Sequence, residues 1–89
     1  MIINKILRKI GKIENLQGVK IGLCTPVYDQ LLREMERLAD APEGCLHSID
    51  EIEGVPIIEN NFIDADRILI LRGPAVTDIV KLRKKKRKK

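Results

Sequence analysis

Aromatic residues are nearly missing from this chain of 89 residues: it has no tryptophan, and Tyr28 and Phe62 are its only phenyl rings. A core must therefore be assembled from Ile, Leu and Val, and nothing in the sequence matches an aromatic platform for stacking bases. Cysteine is scarce too. Cys24 and Cys45 can form one bridge at most, which excludes a disulfide scaffold. Long hydrophobic runs are absent: no stretch approaches the ~18 consecutive apolar residues of a membrane span. Lys5, Arg8 and Lys9 interrupt the first apolar segment before a signal-peptide core can form. These absences point to a cytoplasmic protein with no membrane partner. What remains is 44% apolar, too much for a chain disordered throughout, and its length suits one small domain.

The net charge of +4 conceals a sharp division. Residues 1–12 carry Lys5, Arg8, Lys9 and Lys12 and no acid. Residues 81–89 add eight more basic side chains: Lys81, Arg83, Lys84, Lys85, Lys86, Arg87, Lys88 and Lys89. Between these ends, residues 13–80 hold all 13 acids against five basic residues, a balance of −8. The body would repel an anionic partner, so any such partner must be met by the ends.

The pattern along the chain predicts an α+β fold: one central helix on a small, mostly antiparallel sheet, with short N-terminal and C-terminal helices. Ile2, Ile3, Ile6, Leu7 and Ile10 recur at helical spacing, giving a basic amphipathic helix over 1–12 that needs the body or a second subunit to dock on. The domain proper is expected over 13–80. Gly18–Cys24 alternates as a strand, with Gly22 marking a bulge or a close backbone approach. Thr25-Pro26 then fits a helix start, with Thr25 as the capping residue. The helix is expected over 26–39, with Leu31, Leu32, Met35 and Leu38 inward and Asp29, Arg33, Glu36, Arg37 and Asp40 in water. Ser48–Glu51 fits a capping box over a single turn. Val55–Ile58 and Arg67–Arg72 suggest antiparallel strands, with Phe62 and Ile63 folding back over the sheet. Gly73-Pro74 is expected to open the last helix, where Val76, Ile79, Val80 and Arg83 share a face.

Candidate chemistry concentrates in the basic run, residues 81–89. Lysine and arginine at this density neutralise phosphates and release counterions without a fixed shape, so Lys81, Arg83, Lys84, Lys85, Lys86, Arg87, Lys88 and Lys89 are the candidate nucleic-acid-binding residues. No helix-turn-helix or zinc-finger pattern accompanies them, so contact with DNA or RNA would be non-specific. The alternative is a protein-interaction module whose basic tail pairs with an acidic protein surface. Cys24, Cys45, His47 and Asp50 lack metal-ligand spacing, and a buried Cys24 is the simpler reading than a Cys24–His47 pair. Gly18-x-x-x-Gly22 is no dinucleotide loop, and no carboxylate pair suggests acid–base work. The sequence thus predicts a non-enzymatic protein with no metal and no cofactor. Small size, the apolar face of the first helix and open strand edges further suggest a homo-oligomer.

Two segments resemble a known family. The strand followed by Thr25-Pro26-Val27-Tyr28-Asp29-Gln30-Leu31-Leu32 is similar to a helix start in phage and prophage head proteins. Ile52-Glu53-Gly54-Val55-Pro56-Ile57-Ile58, followed by Ile68-Leu69-Ile70-Leu71, resembles the peripheral hairpin of tailed-phage major capsid proteins. The likeness spans residues 19–72. It implies a small phage-type protein that self-associates near an anionic genome, and it brings no catalytic residues.

Overall fold

Val19, Ile21 and Leu23 alternate along β1 (Val19–Leu23), and all three are buried, because this strand lies at the centre of the sheet. The computed structural model describes residues 1–82. Around β1 stand α1 (Ile2–Ile10), α2 (Thr25–Leu38), β2 (Glu51–Ile52), β3 (Val55–Glu59), β4 (Arg67–Arg72) and β5 (Ala75–Lys81). The strand order is β2-β3-β1-β4-β5. β3 runs parallel to β1, with Ile21 opposite Ile57, whereas the other three pairings are antiparallel. A parallel neighbour requires a crossover, and α2 supplies it by lying across one face of the sheet.

The core occupies that helical face. Ile2, Ile3, Ile6 and Ile10 of α1 join Val27 and Leu31 of α2 over Val19, Ile21, Leu23, Val55, Ile68, Ile70 and Val80. The apolar stripe of α1 is thus covered by the body of its own chain. A helix of nine residues is too short to persist alone, so this burial holds it in place.

The two expected runs, 55–58 and 67–72, are strands, but they are not neighbours, since β1 lies between them. The expected C-terminal helix is instead β5, paired with β4 through the two-residue turn Gly73-Pro74. Gly73 has φ +60°, the value that a type II′ hairpin needs at its first turn position. The helix-like spacing of Val76 and Ile79 has a physical origin. A bulge shifts the register so that Leu69 faces Ile79 and Leu71 faces Val76, leaving Thr77 extra. Two residues on one face of the strand are therefore three apart rather than two. Ser48–Glu51 is no helical turn either: Glu51 and Ile52 enter a hairpin whose turn residues Glu53 and Gly54 both take positive φ, as in type I′.

The start of α2 also differs in detail. Cys24, not Thr25, occupies the capping position, and the Thr25 N–H is taken by Asn61 Oδ1 at 3.0 Å while its hydroxyl bonds Glu59. Gly22 marks no bulge, and what approaches it is side chain and not backbone: a Cβ there would sit 3.0 Å from Ile63 Cδ1 and 3.2 Å from Leu71 Cδ1.

Candidate nucleic-acid interface

On α1 the isoleucines point into the core, so the residues between them must face outward. Lys5, Arg8, Lys9 and Lys12 fall at three- and four-residue spacing and form one basic stripe. The core contacts of α1 set this stripe beside β5. There, Lys5, Arg8, Lys9, Lys12 and Lys81 line an open cleft of about 340 Å³ over Ile79 and Val80. Lys9 Nζ lies 3.1 Å from Asp78 Oδ2, an exposed ion pair between α1 and β5. The Ile79 N–H and the Lys9 ammonium hold the Asp78 carboxyl below its ordinary range, against a smaller opposing effect of burial.

Of the candidate nucleic-acid residues, Lys81 is exposed at the end of β5, beside the basic stripe. Arg83, Lys84, Lys85, Lys86, Arg87, Lys88 and Lys89 lie outside the described residues. The fold therefore brings the basic residues of 1–12 to the point from which the run 83–89 departs. The sequence points to both basic ends as the place where an anionic partner is met, but it singles out only the run 81–89 as candidate contact residues. The available signal for α1 was the lysine and arginine spacing opposite its isoleucines.

A second cleft, of about 390 Å³, opens at the first turn of α1 and is lined by Ile2, Lys5, Gln30, Glu34, Asp66 and Leu82, among others. Its central group is already committed. Glu34 is buried, and its two oxygens accept the N–H groups of Ile2 and Ile3 at 2.9 Å each. It supplies from α2 the acceptors that the first turn of α1 lacks.

Glu36, expected in water, is also buried, because residues 40–46 fold back across it. Its carboxylate accepts the Gly44 N–H at 3.0 Å and the Leu46 N–H at 2.7 Å, and Arg33 Nε lies 3.1 Å away. Burial alone would raise this carboxyl. The N–H groups of Leu46 and Gly44 and the Arg33 charge outweigh it and hold the group below its ordinary range. Leu38, expected in the core, is 60% exposed instead.

Cys24 is buried, Cys45 is exposed, and both are free. Among the described residues, no three His, Cys, Asp or Glu side chains converge as metal ligands. No helix among them is long and apolar enough to cross a membrane. Comparison with family models, curated proteins and solved structures finds no match to this chain.

Proposed function

We propose that this protein is a small non-enzymatic module that contacts nucleic acid non-specifically through its two basic ends. The observation that carries this reading is the shared cleft of Lys5, Arg8, Lys9, Lys12 and Lys81, from which the basic run continues. The stripe and the run together hold 12 basic side chains, against a body of −8. Such a division aims the molecule, since the ends attract phosphate while the body, taken as a whole, carries the opposite sign. Binding of this kind depends on charge density and is steep in salt. Six effective phosphate contacts give a log–log slope of roughly −5 on duplex DNA.

Self-association, which the phage-type resemblance also implies, belongs to the proposal as a secondary property. Its support is the edge of β5, which no other strand pairs among the described residues, and not α1, whose apolar face is spent within the fold.

Fluorescence anisotropy with a mixed-sequence duplex tests the reading. Truncation after Leu82 removes no apolar residue, and it is expected to abolish most of the affinity at physiological salt. The combined variant Lys5→Gln, Arg8→Gln and Lys12→Gln is expected to weaken what remains and to flatten the salt slope. Full affinity retained by the truncated and combined variants would overturn the proposal. A truncation that shifts the sedimentation-equilibrium mass without changing duplex affinity would instead favour a tail that pairs with acidic protein.

A further inference from the structure

Both helices pack on one face of the sheet, and the other face carries side chains that the core does not use. Alternation and register place Lys20, Ile58, Leu69, Leu71, Val76, Ile79 and Lys81 there. Ile58, Val76 and Ile79 are 39%, 49% and 37% exposed, and Leu69 and Leu71 are half-buried. Among the described residues, no helix lies above this aliphatic floor.

Phe62 stands at one end of this floor, 95% exposed. Its backbone is nonetheless held. The Phe62 N–H donates to Asn60 Oδ1 at 2.9 Å, and the Asn60 N–H donates to the Leu23 carbonyl at 2.7 Å. The next residue, Ile63, lies over Gly22 on the helix-free side. A large ring is thus presented to solvent from a pinned turn. The basic run starts at the same end: Lys81 sits opposite Arg67, and the Leu82 N–H donates to the Asp66 carbonyl at 2.8 Å.

Charge selects the occupant. The body is acidic overall, but on this face Lys20 and Lys81 rim the floor, and Arg67 shares its charge with Asp64 and Asp66. Among the described residues, the one strand carboxylate on this face is Glu51, at the far β2 edge. A second copy would set the same cations against each other. A duplex offers phosphates but hides its base faces. A single strand offers both, bases for the ring and floor and phosphates for the rim.

We propose that the helix-free face binds single-stranded nucleic acid, with Phe62 stacking on a base, Ile58, Leu69 and Ile79 under its neighbours, and Lys20 and Lys81 on flanking phosphates. The strand continues past Lys81 to the stripe on α1, because Ile79 and Lys81 border both surfaces. This inference rests on the reading of the basic ends as phosphate contacts, and it adds the class of nucleic acid.

The test uses the full chain and two probes, a 12-nucleotide oligo(dT) and a 12-base-pair duplex. Phe62→Ala is expected to bind oligo(dT) roughly 5- to 150-fold more weakly, the value of one stacked base, with duplex affinity unchanged within about twofold. Phe62→Trp creates the only tryptophan of the chain. Its fluorescence is expected to be quenched by oligo(dT) and not by the duplex. Ile79→Asp, at an exposed position, is expected to reduce oligo(dT) binding while the circular dichroism spectrum stays native. Equal loss on both probes, or no loss on either, would overturn the proposal while leaving the basic-end reading intact if the duplex still binds. Absence of binding to either probe by the unmodified chain would defeat both. A Phe62→Trp signal that responds to phosphatidylserine-containing vesicles or to an acidic amphipathic peptide, and not to oligo(dT), would assign the face to that partner instead. Conversion of a dimer to a monomer by Ile79→Asp, with oligo(dT) affinity unchanged, would assign it to a second copy.

Discussion

Removing the Glu34 carboxylate is expected to unseat α1. Ile2 and Ile3 begin that helix, so their N–H groups have no intrahelical acceptor, and Glu34 accepts both at 2.9 Å from a side chain only 4% exposed. A hydrogen bond to a charged acceptor contributes about 1.5–3 kcal/mol net, so two bonds set an upper figure near ~6 kcal/mol. The adjoining cleft admits water, which can satisfy part of what Glu34→Ala leaves open. The expected cost is therefore about 2–4 kcal/mol. That is a large share of the roughly 4–13 kcal/mol typical of a domain this size. Glu34→Gln keeps one carbonyl oxygen but turns an amide N–H₂ toward a second donor, so it should fall near half of this loss. Urea melts followed by circular dichroism measure the total, because the chain has no tryptophan to report. Hydrogen exchange adds the location: amides of Ile6 and Leu7, one turn along, should lose protection before those of β1. A Glu34→Ala midpoint equal to that of the unmodified protein would refute the capping argument. Uniform loss of protection across the sheet would show that the carboxylate does not act locally on α1.

Two residues spaced seven apart on α2 should behave oppositely. Leu31 is fully buried and Leu38 is 60% exposed, so Leu31→Ala is expected to cost about 2–5 kcal/mol and Leu38→Ala under ~0.5 kcal/mol in the same melts. Equal losses would contradict the packing described for α2. The pH dependence should be acidic in sign. Glu36 and Asp78 have folded-state values below their unfolded ones, so their contribution is complete above the ordinary carboxylate range. As pH falls through that range the unfolded chain takes up protons first, and the contribution is gone below the folded values. The double variant Glu36→Gln and Asp78→Asn should show a flatter stability profile on the acid side, and an unchanged profile would count against both assignments.

Local chemistry was enough to place much of this molecule. Apolar periodicity located α1, β1 and α2, because each has a stripe or alternation that only one secondary structure can bury. The charge division was also plain, since lysine and arginine at the two ends need no fold to be counted. Long-range pairing decided the rest. β5 carries a bulge at Thr77, so its outward residues follow a spacing of three, and only the ladder with β4 distinguishes that spacing from a helix. Glu36 is buried by backbone N–H groups of Gly44 and Leu46, eight and ten residues away, which a helical wheel cannot contain. Leu38 is exposed because the core ends before the last turn of α2, a limit set by the sheet and not by the helix. The candidate interface is of the same kind. Lys5, Arg8, Lys9 and Lys12 adjoin Lys81 because buried isoleucines fix the rotation of α1 about its axis, and Phe62 is exposed because Asn60 ties its turn to the end of β1. A one-dimensional pattern states which residues want to leave water or stay in it. Which of them become neighbours depends on strand order and register, and those are settled only when the whole chain closes on one core.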